Sequence, residues 1–292
     1  MENFDLVIVG AGSAGCIVTN QLINNTSYKI LLIEAGPTDI NPIIKIPLGY
    51  GMTFYHPKLN WNFYSKKQIN INNREIYTPR GKVIGGSGSI NAMVYARGLE
   101  SDYEDWNNIN KNWSWNSIRE IYKIIEHKVS LNDHHLPINK IPVNDVSNFH
   151  HPILKYYFNA SKELGISFNK NLNTSIKDQV GHYNINTFRG YRFSSSSAFL
   201  HPIKNNERLK ILSNCKVKKI NIDGNKIKNL EIIINNKKYN IKPNIGTILS
   251  CGSIMTPKLL LNSGIGNGEE LQKLNIKVNL HSPQVGKNLQ DH

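Results

Sequence analysis

Phe4-Asp5-Leu6-Val7-Ile8-Val9-Gly10-Ala11-Gly12-Ser13-Ala14-Gly15 decides the fold class. Residues 4–9 form a short apolar run rich in β-branched side chains, as a strand buried on both faces requires. Gly10 then permits a tight turn, Gly12 lets the backbone approach a pyrophosphate, and Gly15 lets the next helix pack on the strand. Cys16 to Ile23 reads as that helix. The helix N-terminus, reached through Ser13 and Ala14 of the turn, offers unpaired N–H groups and a positive dipole end. Tyr28 to Ile33 is a second buried strand, ending in Glu34-Ala35-Gly36. Glu34 stands 19 residues after Gly15, at the strand tip. A carboxylate there accepts hydrogen bonds from the hydroxyls of an unphosphorylated adenosine ribose. With both flanking strands and the acid, the glycine turn marks a dinucleotide-binding βαβ unit, and the acid argues against NADP.

Downstream of this unit, Pro37 to Pro79 has little periodicity and reads as an extended excursion. Trp106 to Val129 looks helical, with a cap at Trp115-Asn116-Ser117 and Ile118, Ile121, Tyr122 and Ile125 on one face. Residues 130–150 read as a loop, and Pro152 to Leu164 as a helix stopped by Gly165. From Leu209 the pattern turns to strands. Asp223-Gly224 predicts a hairpin turn, Leu230–Ile234 and Tyr239–Ile241 continue a small antiparallel sheet, and Ile245–Leu249 is a further buried strand ending in Ser250-Cys251-Gly252.

Composition narrows the function classes. The 292 residues carry a net charge of +14. They include 41 Asn, 39 Ile and 28 Lys but 7 Arg. Lys, Asn and Ile come from AT-rich codons, whereas phosphate and base recognition would favour Arg. The lysines are scattered, so the charge argues for no nucleic-acid partner. Three well-separated cysteines, Cys16, Cys215 and Cys251, exclude a disulfide framework. No apolar run reaches the ~18 residues of a transmembrane segment, and Met1-Glu2-Asn3-Phe4-Asp5 is acidic where a signal peptide is basic. A cytoplasmic protein is the expectation, with peripheral membrane association left open. In His134-His135 and His150-His151 adjacent side chains project in different directions and no acidic pair completes a site, so no metal site is expected.

A second glycine-dense stretch, Pro79-Arg80-Gly81-Lys82-Val83-Ile84-Gly85-Gly86-Ser87-Gly88-Ser89-Ile90-Asn91-Ala92-Met93-Val94, lets backbone approach a flat ligand. It resembles the first signature of the glucose-methanol-choline (GMC) flavin oxidoreductases, and Tyr95-Ala96-Arg97-Gly98 extends it as in choline-dehydrogenase-like members. Gly252-Ser253-Ile254-Met255-Thr256-Pro257-Lys258-Leu259-Leu260-Leu261-Asn262-Ser263-Gly264-Ile265-Gly266 resembles the second signature. Arg192 to Pro202 is similar to the segment leading back to the FAD domain, and Val285-Gly286-Lys287-Asn288-Leu289-Gln290-Asp291-His292 to a further family motif. The resemblance runs from Phe4 to His292.

It implies an α/β fold: a Rossmann-type FAD-binding domain from segments 1–36, 75–100 and 195–292, with a partial inserted substrate (cap) domain over 101–194. It also implies FAD, with Val83 and Asn91, Ala92, Met93 and Val94 beside the flavin and Gly86 among the cofactor-binding residues. Val217 falls where a backbone contacts adenine, and Cys251 and Gly252 beside the pyrophosphate. Ile90 occupies the place of a histidine that some members bond to flavin, so FAD is expected to be non-covalent. Family members continue for about as much chain again, and that part holds the catalytic pair. No catalytic residue is therefore assigned here, and His292 is not one. The expected function is the N-terminal part of an FAD-dependent alcohol dehydrogenase or oxidase, incomplete or inactive alone. Its expected partners are a small-molecule alcohol and a second polypeptide carrying the missing C-terminal half. The alternatives are a non-enzymatic remnant, an NAD-dependent Rossmann dehydrogenase and a hydroxynitrile lyase.

Overall fold

A computed structural model describes residues 3–130, 132–173, 178–224 and 226–290. Met1-Glu2 of the acidic start, Asn225 of the expected turn and the closing Asp291-His292 lie outside them. In chain order the principal elements are β1 (Phe4–Val9), α1 (Ser13–Asn25), β2 (Ile30–Ile33), α2 (Trp115–Ile125), α3 (Leu154–Glu163), β3 (Leu209–Leu212), β4 (Cys215–Asp223), β5 (Lys226–Ile234), β6 (Lys237–Ile241), β7 (Pro243–Leu249) and α4 (Gly252–Asn262).

Four strands form a parallel sheet in the order β3-β2-β1-β7. Val7 pairs with Leu31, Ile8 with Leu32, and Val9 with Leu249. β1 and β2 are the most deeply buried strands, as their unbroken apolar runs require. Leu209–Leu212, read from sequence only as a strand, is the parallel neighbour of β2. β4, β5 and β6 make the expected antiparallel sheet, and Ile220, Leu230 and Ile232 pack with Val7, Val9, Leu31, Ile33 and Leu259 of α4 in one core. α1 ends under Arg208, whose guanidinium donates to the carbonyls of Thr26 and Ile23. A cation there satisfies two carbonyls of the helix end and opposes its negative dipole.

The chain divides into two compact units. The first comprises Met1–Ile44, Leu48–Ile90 and Ser194–His292, and the second Lys45–Pro47 and Asn91–Phe193. Residues 48–74 thus cluster with the dinucleotide-type sheet, and 91–100 with the inserted segment. Within the second unit the single helix expected over Trp106–Val129 is broken. A helix over Glu104–Ile109 stops at Asn110, a 3-10 turn follows, and α2 starts afresh at Ser114. The Asn110 and Ser114 side chains accept from the N–H groups of Asn112 and Ser117. These local bonds compete with helix continuation, so the cap lies one residue before the expected Trp115-Asn116-Ser117. The expected loop 130–150 includes a short strand, Ile141–Val143, paired with Glu126–Lys128. α3 is closed by Gly165 at φ +76, as expected.

α1 packs closely on the turn that follows β1. A Cβ on Gly15 would lie 1.9 Å from the Gly10 carbonyl oxygen. Gly15→Ala should therefore destabilise the chain by about 1–3 kcal/mol, as overpacking does. Gly246→Ala on β7, where a Cβ meets nothing within 4 Å, should be near neutral. Urea unfolding midpoints compare the two, and equal midpoints would show that the helix does not pack through Gly15.

Candidate cofactor-binding site

A cavity of about 650 Å³ lies within the first unit, beyond the C-terminal ends of β1 and β2. In open parallel sheets this is where ligands bind. The glycine turn forms its floor. Gly10, Gly12, Ser13 and Ala14 all line it. Gly12 caps α1 with extended backbone and no side-chain hydrogen bond. The first amides of α1 therefore have no intrahelical acceptor and no side-chain cap, the arrangement that suits an anion.

Three other segments complete the wall. Gly86 stands against the floor, where a Cβ would be 2.7 Å from the Gly12 Cα, and the Gly85 N–H donates to the Ala11 carbonyl at 2.7 Å. The two glycine-rich stretches therefore meet backbone to backbone. Cys251 and Gly252 line the cavity at the start of α4, and Val217 does so from β4. Burial pushes the Cys215 and Cys251 thiols up to about 11. They remain protonated and serve as small wall residues rather than nucleophiles.

Glu34 and Ala35 line the same cavity. The Glu34 carboxylate is 6% exposed. One oxygen accepts from the Ala11 N–H at 3.0 Å and the other from the Gly36 N–H at 2.9 Å. Burial raises its pKa above the usual carboxylate value, and the N–H donors and Lys82 oppose that shift. A carboxylate offers about four lone-pair positions, so two backbone donors leave acceptor capacity toward the cavity.

The remaining predicted residues lie elsewhere. Gly15 packs α1 on the turn. Val83 is fully buried with Ile44, Leu59 and Ile90 and is not on the cavity wall, because the apolar cluster takes its side chain. Asn91, Ala92, Met93 and Val94 belong to the second unit. There the Asn91 side chain accepts from Arg192 at 2.7 Å and from the Met93 N–H at 3.1 Å. Met93 holds a left-handed φ of +62, a conformation uncommon for a non-glycine residue.

Sequence reasoning missed Trp61, Phe63, Arg80, Lys216, Lys218 and Lys258 on the wall. Trp61 and Phe63 sit in the aperiodic excursion, where no pattern marks them. Arg80 and Lys258 were legible as polar residues inside the two quoted glycine-containing motifs. Among the described residues no helix is long and apolar enough to cross a membrane.

A family model described as GMC oxidoreductase matches residues 4–292. The chain is 38% identical over 294 residues to an alcohol dehydrogenase (acceptor) of Pseudomonas putida, covering 99% of this chain and 53% of that protein. It is 33% identical over 295 residues to an oxygen-dependent choline dehydrogenase of Sinorhizobium medicae (strain WSM419), covering 99% and 52%. The crystal structure of pyridoxine 4-oxidase from Mesorbium loti superposes with a TM-score of 0.92 at 27% identity, covering 99% of this chain and 57% of that one. The chain thus spans about half the length of the curated relatives it matches.

The buried Glu34 gives stability a definite pH sign. Its pKa in the fold is raised from 4.5. Its favourable contribution is therefore complete below about 4.5 and is lost as pH rises through the raised value. The stability difference between the ligand-free chain and Glu34→Gln should shift in favour of the variant as pH rises through this window. Denaturant titrations of both proteins across that range measure it, and a constant difference would mean that Glu34 ionises as freely as in the unfolded chain.

Proposed function

The chain belongs to the GMC oxidoreductase family, and from that premise we propose that residues 1–292 hold non-covalent FAD for the oxidation of an alcohol. One observation carries the reading: the glycine turn, the Glu34 carboxylate, Gly86, Val217 and the Cys251-Gly252 start of α4 line a single cavity. FAD, when bound, supplies the acceptor for a hydride from the alcohol carbon.

The residues present fit that group. A Cβ on Gly12 would meet only Gly86 Cα at 3.9 Å and Ser250 O at 4.0 Å, ordinary contacts. The protein's own packing therefore does not require a glycine there, whereas a closely approaching pyrophosphate does. Gly12, Ser13 and Ala14 would hold the pyrophosphate through their amides, with Gly10, whose N–H donates to the Ile33 carbonyl at 2.8 Å, shaping the turn and Cys251 and Gly252 beside it. Glu34 would accept from the ribose hydroxyls, and Ala35 would lie next to it. The Val217 backbone would meet the adenine. Val83 and the segment Asn91–Val94 stay assigned to the flavin by resemblance, and Gly86 stays a cofactor-binding residue. Ile90 is 2% exposed and carries no nucleophile, which supports a non-covalent cofactor.

The alcohol and choline dehydrogenases among the relatives support an alcohol-type donor, with choline among the candidates. The comparisons lend no support to the second polypeptide expected from the sequence. No side chain in residues 1–292 is assigned as the base that accepts the alcohol proton.

Purified protein tests the cofactor. FAD should raise its melting temperature while NAD does not, and acid precipitation should leave all flavin in the supernatant. A colourless protein that FAD does not stabilise would overturn the reading. Hydrogen bonds to a charged group contribute about 1.5–3 kcal/mol, against about 1 for neutral ones. Glu34→Gln should therefore weaken FAD binding several-fold or more. Because the ribose hydroxyls favour the ionised acid, wild-type affinity should rise with pH through the raised Glu34 pKa. Unchanged affinity in a calorimetric titration of the variant would remove Glu34 from the site.

Turnover is the second test. General-base assistance is worth ~10²–10⁴-fold, and the resemblance places that base outside residues 1–292. The polypeptide by itself should reduce a dye only weakly with a panel of alcohols, choline included. Brisk FAD-dependent turnover would show that the base lies within it.

A further inference from the structure

Trp61 and Phe63 have no part in the reading above, yet they are the large aromatic side chains on a wall otherwise rich in glycine, alanine and serine. We propose that Trp61, backed by Phe63, is the platform against which the adenine base of the dinucleotide packs. This rests on the dinucleotide reading of the same cavity and adds the residue that grips its nucleoside end.

Position is the first argument. The Cys215 N–H donates to the Glu34 carbonyl at 2.9 Å, so the start of β4 runs beside the carboxylate residue. Lys216 and Val217 follow on the cavity wall, and the Lys216 ammonium lies 5.9 Å from the centre of the Trp61 ring. Glu34, Val217 and Trp61 therefore share one end of the cavity. A ribose held by Glu34 carries its base on the same small ring, so the base falls at this end, not at the start of α1.

Preorganisation is the second. The Trp61 and Phe63 rings are 6° from parallel, with centroids 5.8 Å apart. Asn60, which is 2% exposed, fixes the backbone around them. Its side-chain oxygen accepts from the N–H groups of Asn62 and Arg80, both at 3.0 Å. The Trp61 N–H donates to the Arg80 carbonyl at 2.9 Å. Asn62 turns between the two aromatics at φ +52. A wall fixed this firmly loses little conformational entropy when a flat ring docks.

Charge decides the kind of ligand. A tryptophan in a cavity could instead hold an ammonium group. Here the Lys82 ammonium is 5.1 Å from the ring centre and that of Lys216 is 5.9 Å. Two ammonium groups this close to the ring repel a further cation. A neutral purine with an anionic diphosphate suits the wall, and a quaternary ammonium does not.

Trp61 reports on itself, because Trp106, Trp113 and Trp115 all belong to the second unit. The probe is ADP, which has the nucleoside and diphosphate but no flavin to quench every tryptophan by energy transfer. ADP should quench the emission of the wild-type 292-residue chain and leave that of Trp61→Phe unchanged. Trp61→Leu should weaken ADP and FAD binding by about 5-fold to about 100-fold, the range for losing a base–aromatic stack, while Trp61→Phe keeps most of the affinity. The preference for ADP over UDP should shrink in Trp61→Leu. The proposal is overturned if saturating ADP leaves wild-type emission unchanged, a measurement that needs no variant, or if Trp61→Leu binds ADP as tightly as wild type. In either case the dinucleotide reading stands provided FAD still stabilises the protein. If neither FAD nor ADP stabilises the wild type, both readings fall.

Discussion

Glu34 is the point through which the segments around the cavity are tied. Its N–H donates to the Leu212 carbonyl at 2.8 Å and its carbonyl accepts from Cys215 at 2.9 Å, joining β2 to the end of β3 and the start of β4. Its carboxylate accepts from Ala11 in the glycine turn and from Gly36 beyond the strand. One residue therefore positions the turn after β1, the end of β2 and the strand carrying Val217. The carboxylate can be buried because backbone donors replace much of the water it loses. A residue chosen only to meet a ribose would need none of these bonds. Here the same atoms that hold the turn in place line the cavity, so the site's geometry and its chemistry are one constraint.

A second polar cluster brings distant segments to that frame. Asp39 is 4% exposed. Its carboxylate accepts from the Ser196 hydroxyl at 2.6 Å and meets His201 Nε2 at 3.0 Å. Ser194 and Ser196 hydroxyls are 2.8 Å apart. A Cβ on Gly85 would stand 2.1 Å from Ser89 Oγ and 3.0 Å from Ser196 Oγ. The cluster thus lies directly beneath the Gly85-Gly86 turn that presses on Gly12. Ser194 and Ser196 of the serine run are explained by this support. Their hydroxyls satisfy a buried acid and leave room for a turn without side chains. Asn20 of α1 adds to it, donating to the Phe199 carbonyl at 2.7 Å.

How much of this was legible depends on whether a residue's role is local. β1, α1 and β2 follow from continuous apolar runs and a glycine spacing, so the first βαβ unit and most of the cavity floor could be read directly. The helix breaks at Asn110 and Ser114 could not be read from apolar spacing, because side-chain capping of a few N–H groups outweighs a favourable stripe at that point. Val83 shows a limit of motif reading. It sits inside a stretch that does reach the cavity through Gly81, Gly86 and Ser87, yet its own side chain turns into an apolar cluster. Trp61 shows the opposite limit. The excursion around it has no period, and its importance comes from Arg80, Lys82 and Lys216, which the fold brings close.

The charge of the chain also takes on a different meaning in the structure. A value of +14 spread over scattered lysines says little by itself. At the cavity, Arg80, Lys216, Lys218 and Lys258 share the wall with Glu34. The acid is deep and held by backbone amides, whereas the lysines carry flexible stems that keep their ammonium groups hydrated. Positive potential therefore surrounds a recess that holds a buried acceptor. A cationic ligand would cross that rim unfavourably, and a simple polyanion would meet the buried acid with no donor to offer. A ligand with an anionic diphosphate next to a hydroxyl-bearing sugar satisfies both at once, since its charge faces the amides and cations while its hydroxyls face Glu34. On the proposed function, the arrangement of charge, more than its total, is what would select a nucleotide.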